Sequence, residues 1–257
     1  SYSINENFKV VNLYEGDNES NSYLKALFSS VEKTKYEEVN FREGYNDYDL
    51  NEDLIILNEL INIDKQLINT ITPNKNILIL PSTSKNSDYK NLNNFLNIKF
   101  SSLKNSKLEL DIESVDKNYF KNIFSSFNGN INLPYFNYHY LVSKNPNANY
   151  LINFSNGDPF LIKYSESNRD FFYLTSNLND SVSNFKEHAL FVPIMLRIKE
   201  KSSSDFIKQY DINHLDRIRI KNEFQQNGDV KIINNLEKPT TSFFPKVSNN
   251  KGNSIIF

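Results

Sequence analysis

Asp53-Leu54-Ile55-Ile56-Leu57-Asn58 and Asn76-Ile77-Leu78-Ile79-Leu80-Pro81 decide how this chain is read. Each is a short continuous apolar run between polar or turn-forming residues, the pattern of a strand covered on both faces. Pro81 closes the second run because it has no N–H to give to a central ladder. Working outward, Phe8-Lys9-Val10-Val11-Asn12-Leu13-Tyr14 reads as a further buried strand that empties into the polar turn Glu15-Gly16-Asp17-Asn18-Glu19-Ser20. Beyond that turn Tyr23, Leu24, Leu27, Phe28 and Val31 recur at helical spacing, with Ser20 or Ser22 placed as an N-cap. Tyr36 to Phe41 alternates like a second strand, and short helices are predicted over 63–71 and 87–96. Strand and helix thus alternate through about residue 100, the signature of right-handed βαβ units. The expectation is a flavodoxin-like α/β fold: a parallel sheet with strands at 8–14, 53–58 and 76–81 and flanking helices.

The next part of the chain carries strands of another character. Leu108 to Ile112 alternates, a short helix is predicted from Tyr119 to Phe124, and Tyr150–Phe154 and Pro159–Tyr164 flank Asn156-Gly157-Asp158, a hairpin turn. Asp170 to Thr175 adds a strand, and an apolar helix is expected from Ala189 to Ile198, capped by Asn184 or Ser183. Ser202-Ser203-Ser204 marks a linker, and Arg217–Ile220 and Asp229–Ile233 suggest a small β appendage. The division expected is therefore 1–204 for the α/β domain and 205–257 for the appendage. A start at Ser1 and an end in Ile255-Ile256-Phe257 suggest a piece of a larger protein.

Composition removes several classes of function. The 29 Lys and Arg against 31 Asp and Glu leave a net charge of −2, which offers no field to gather nucleic acid. Cysteine is absent, so disulfides, thiolate metal sites and Cys nucleophiles are excluded together. The six glycines are too scattered for GxGxxG or a Walker A loop. No apolar run approaches the roughly 20 residues of a membrane helix. Aromatics at 14% of the chain read first as core, with exposed Tyr and Phe as a carbohydrate-binding surface the weaker alternative.

The residues with chemical potential are few. Open α/β sheets bind ligands at the carboxyl ends of their strands, which singles out Glu15, Asn58, Glu59 and Ser82 as a possible ligand crevice. Ser82 is the only candidate for a hydroxyl nucleophile there, but a serine elbow wants small residues on both sides and Pro81 fills one of those places. Glu15, Asp17 and Glu19, and again Asp47, Asp49, Glu52 and Asp53, cluster without the spacing of a metal loop, so no metal and no cofactor is expected. His188 reads as packing or capping, His139 as a neighbour of Tyr135, Phe136, Tyr138 and Tyr140, and His214 as part of a polar loop.

Three segments, Asn153 to Leu161, Phe171 to Ser176 and Ser183 to Pro193, together with Val10–Phe28, Asp53–Asn58, Leu78–Ser82 and Ile123-Phe124 ahead of Leu133-Pro134, follow one another in a familiar order. The chain in this respect resembles the Bacteroidetes membrane proteins with a BatA-type (aerotolerance regulator) N-terminal region, specifically their periplasmic part that looks like a class I glutamine amidotransferase. The resemblance implies an amidotransferase-like scaffold without the nucleophilic Cys, in the periplasmic portion of an inner-membrane protein. It further implies a non-catalytic role in protein interaction or structural support, with other membrane-complex proteins as partners and membrane contact only through segments outside this chain. The alternative is a ligand-binding module or hydrolase-like enzyme that uses the crevice.

Overall fold

The computed structural model describes residues 7–202 apart from 17–18, 42–49, 85–88, 90–97, 125–131 and a few isolated positions, and beyond 202 it describes five short strands. The chain divides into two compact units, Ser1–Phe206 and Ile207–Phe257. In the first unit β1 (Phe8–Tyr14), α1 (Ser20–Ser29), β2 (Thr34–Asn40), β3 (Leu54–Asn58), α2 (Lys65–Thr70) and β4 (Asn76–Leu80) come first. They are followed by β5 (Phe100–Asp111), β6 (Tyr135–Val142), β7 (Ala148–Phe154), β8 (Pro159–Glu166), β9 (Arg169–Leu174) and α3 (Phe191–Ser202). The second unit holds β10 (Ile218–Lys221), β13 (Val247–Asn250) and β14 (Asn253–Ile256) in one antiparallel sheet, and β11 (Ile232–Asn234) paired with β12 (Thr241–Phe243).

All nine strands of the first unit lie in one sheet, ordered β2-β1-β3-β4-β9-β8-β7-β5-β6. The β2-β1-β3-β4-β9 part is parallel, with Val10 opposite Leu54 and Leu54 opposite Asn76. From β9 outward every junction is antiparallel. This corrects the fold class. The chain is not a flavodoxin-like, class I glutamine-amidotransferase-like parallel sheet with flanking helices; it is a mixed sheet, rich in strand and poor in helix, whose second half is a set of antiparallel strands. The physical reason lies in the connections. Parallel neighbours need a crossover of a dozen residues or more, whereas β7 and β8 are joined by the tight Asn156-Gly157-Asp158 turn, with Gly157 at φ +84°, and can only run antiparallel.

Two apolar clusters form on opposite faces, because side chains alternate along each strand. Val10, Leu54, Ile56, Leu78 and Leu80 meet Leu24, Leu27 and Phe28 of α1 and Phe191, Ile194, Met195 and Ile198 of α3. Val11, Leu13, Ile55, Leu57, Ile77 and Ile79 meet Leu67 and Ile68 of α2 together with Tyr89, Phe100 and Tyr140. Every residue of β3 and of β4 is buried, as their unbroken apolar runs require.

Several local readings need adjustment. Ser20 is not an N-cap: it sits inside α1 and its hydroxyl goes to Asn58. Residues 119–121, 123 and 124 turn or bend without forming a helix, and the expected 87–96 helix falls mostly outside the described residues. The apolar helix begins at Phe191, and neither Asn184 nor Ser183 caps it: Asn184 Oδ1 accepts the Tyr135 amide (2.8 Å) and Ser183 Oγ donates to the Asn177 carbonyl (3.1 Å).

Candidate functional site

Parallel register brings the carboxyl ends of three strands level, with Tyr14 opposite Asn58 and Asn58 opposite Leu80. Glu15, Asn58, Glu59 and Ser82 therefore do share one edge. Each is engaged there by the protein itself. The Asn58 side chain, fully buried, donates from Nδ2 to Ser20 Oγ and to Asn21 Oδ1, both at 2.9 Å. Asn12 Nδ2 joins the same Asn21 oxygen at 2.9 Å. These bonds dock the first turn of α1 onto β1 and β3, which is how buried amides must be satisfied in an apolar layer. Glu15 Oε2 accepts the Ile61 amide at 3.0 Å and so braces the loop after β3.

Ser82 is held through its backbone. Its amide donates to the Tyr89 hydroxyl, which donates onward to the Leu60 carbonyl (3.0 Å), while its carbonyl accepts from the Tyr140 hydroxyl (2.8 Å). Its own Oγ accepts the Ser84 amide at 3.2 Å in a local turn. None of these partners is a base, and Ser82 does not have the left-handed backbone of a strand-to-helix elbow.

Glu59 does lie in the left-handed region, at φ 56°, a conformation that costs a non-glycine residue about 1–3 kcal/mol unless its surroundings enforce it. Here they do. Its amide donates to the Leu80 carbonyl at 2.8 Å, and its Oε2 accepts from Asn177 Nδ2 (3.1 Å) and Asn179 Nδ2 (2.8 Å). Asn177 Nδ2 also reaches Thr83 Oγ1 at 3.3 Å. The segment after β9 thus folds across the ends of β4 and β3 and closes the edge. β6 holds that segment from its other side, since the Tyr140 amide donates to the Thr175 carbonyl (2.8 Å) and Ser176 Oγ to the Tyr138 carbonyl (2.7 Å). At the same end Lys186, buried, bonds Asp180 (2.8 Å) and Glu19 (3.5 Å) over the Tyr23 ring. Burial alone would lower the Lys186 ammonium, but the two carboxylates outweigh it and raise it.

No protein-family description and no curated protein matches the chain. Its likeness is to solved structures. Two cytoplasmic proteins of Salmonella typhimurium align over 75% and 76% of this chain and 98% and 99% of their own lengths, with TM-scores of 0.56 and 0.57 and 11% identity each. A cold-adapted β-galactosidase from Rahnella sp. R3 aligns over 75% of this chain and 31% of its own, with a TM-score of 0.52 and 12% identity. At such identities the likeness is one of fold alone. These neighbours lend no support to a BatA-type protein or to a periplasmic location, and the flavodoxin-like description is withdrawn because the sheet is mixed.

Sequence reasoning passed over several residues. Tyr140 reaches Ser82 from 58 positions away and Asn177 and Asn179 reach Glu59 from 118 and 120, and nothing in their spacing announces this. His139, read as an aromatic neighbour, is fully buried with Phe154 edge-on at 5.1 Å, but it also bonds Asp158 Oδ2 through Nε2 (2.9 Å) and Ser106 Oγ through Nδ1 (3.4 Å). His188 caps as expected: Nδ1 accepts the Leu190 amide (3.2 Å) and Nε2 donates to the Asn132 carbonyl (2.7 Å). Asp17, Asp47, Asp49 and His214 lie outside the described residues. Among the described residues no Tyr or Phe is exposed, and Val192 is the exposed large apolar side chain. A shallow pocket of about 200 Å³ at the opposite edge is lined by Lys9, Val10, Lys35, Glu37 and Glu52, a solvated wall of mixed charge.

Proposed function

We propose that this domain is a scaffold for protein interaction or structural support and that Glu15, Asn58, Glu59 and Ser82 at the ends of its parallel strands perform no catalysis. One observation carries the reading: Glu15, Asn58, Glu59 and Ser82 are each tied to the protein's own backbone or amides, and the segment after β9 lies across them. Active-site groups are kept available to substrate and are often costly to the fold, whereas these groups stabilise it. The half-buried carboxylate of Glu59 is the single group that would serve the alternative ligand-binding reading, and two amides already occupy its Oε2. A carbohydrate platform has less support, since stacking on sugars needs exposed rings.

The test compares wild type with Ser82→Ala on ester, amide and glycoside substrates. The expected result is identical rates for the two proteins. Turnover that disappears in Ser82→Ala, with the unfolding midpoint unchanged, would overturn the reading.

A further inference from the structure

β5, β6 and the β7–β8 turn bring a serine, a histidine and a carboxylate into one hydrogen-bonded line, Ser106–His139–Asp158. Its parts come from separate places in the chain. Lys104 and His139 are direct cross-strand partners, so they share a face of the ribbon. Between Asn105 and Leu108 the β5–β6 register slips, and Ser106 lies in that irregularity, where an extra residue re-aims a side chain. Asp158 comes from the tight turn, and its carboxylate is fixed by Asn156 Nδ2 at 2.7 Å.

Proton placement follows from the partners. Burial alone would raise the Asp158 carboxyl, but hydrogen bonds from His139 and Asn156 and the nearby His139 and Lys104 hold it below its ordinary value. An ionised carboxylate only accepts, so His139 Nε2 carries the hydrogen and, in neutral imidazole, Nδ1 presents its lone pair to the Ser106 hydroxyl. The histidine is fully buried while Ser106 is half-buried and Lys104 exposed, so the base is shielded and the serine lies nearer the solvent.

The geometry points to Ser106 as a nucleophile toward small carboxylic esters, with His139 as its general base and Asp158 as the positioning residue. This goes beyond the scaffold reading, which concerns Glu15, Asn58, Glu59 and Ser82 at the ends of β1, β3 and β4. Ser106 Oγ attacks the ester carbonyl carbon as its proton passes to His139 Nδ1. The carbon–alkoxy bond then breaks, and the proton on Nδ1 goes to the departing oxygen, leaving an acyl-serine and a free alcohol. Water attacks the acyl-serine carbonyl carbon, giving one proton to Nδ1; the carbon–Oγ bond then breaks, that proton passes from Nδ1 to Oγ, and the carboxylic acid leaves with Ser106 restored. The Lys104 ammonium supplies positive charge on the same face for the oxyanion.

The test is labelling with a fluorophosphonate, read by intact mass and peptide mapping, together with 4-nitrophenol release from 4-nitrophenyl acetate. Wild type is expected to gain one adduct, on Ser106, with fluoride leaving, and Ser106→Ala to gain none while keeping its unfolding midpoint. His139→Gln should slow both reactions by about a hundredfold, the scale of a lost general base. Asp158→Asn should lower the labelling rate constant without moving the half-saturating probe concentration, as expected for a residue that acts only through the imidazole. Absence of an adduct on wild type, or equal labelling of Ser106→Ala, would overturn the proposal; if His139→Gln fails to fold, Ser106→Ala decides alone. An adduct on Ser82 instead would overturn the closed-edge reading, and this proposal with it.

Discussion

The parallel and antiparallel halves of the sheet are held by different means. β3 and β4 are covered on both faces, and their five residues each are buried without exception. β5 is mostly exposed or half-buried and β6 half-buried or buried, and the ribbon is also positioned by polar bonds: Tyr140 to Ser82, Ser176 to Tyr138, and His139 to Asp158. The parallel half is a dry core whose stability scales with apolar burial. The antiparallel ribbon is located by directional bonds, each worth about 0.5–1.5 kcal/mol. Loss of a core side chain should therefore weaken the whole unit, whereas loss of a ribbon bond should be felt locally.

The largest expected effect tests the core side of that contrast. Phe191, buried against Phe185 with ring centroids 5.6 Å apart, covers the sheet from α3, and Phe191→Ala should cost about 3–5 kcal/mol by urea denaturation. His188→Gln, three residues earlier, should leave the fold largely intact; a loss as large as that of Phe191→Ala would break the contrast. Next in size is Asn58→Ala, which removes the buried amide that bonds Ser20 and Asn21 and should cost about 1–3 kcal/mol. A change near zero would show that α1 is docked by its apolar face alone.

The smallest effect lies in the ribbon and is read against pH. The Asp158 carboxyl is depressed in the folded protein, so its contribution is present above its unfolded value near 3.9 and lost as pH falls through the lower folded value. Asp158→Asn should therefore shrink the difference in stability between neutral pH and the region below about pH 4. An unchanged acid limb would mean that the His139–Asp158 pair contributes nothing to holding the ribbon.

These differences also explain what could be read in advance. Leu54–Asn58 and Asn76–Leu80 announce themselves because burial on both faces demands an unbroken apolar run, and the segments do pair in parallel. Their alternation with helices suggested that the pattern continued, and it does not: β9 joins β4 in parallel, but β8, β7, β5 and β6 are added by antiparallel pairing. Asn156-Gly157-Asp158 carried that information as a hairpin signal, although the sequence does not say on which side of the sheet the hairpin is added. The strand-end placement of Glu15, Asn58, Glu59 and Ser82 was legible from the strand ends themselves. Their occupation was not, because Asn177 and Asn179 reach Glu59 from more than a hundred residues away in the chain.

The most direct test of the closed edge is a double-mutant cycle on Glu59 and Asn177, measured by urea denaturation with Glu59→Ala, Asn177→Ala and the pair. If these side chains brace the fold, each single change destabilises the protein and the two couple by about 0.5–3 kcal/mol, as groups in one hydrogen-bond network do. If they are instead held ready for a ligand, Glu59→Ala leaves stability unchanged or raises it and the coupling vanishes, which would contradict the account.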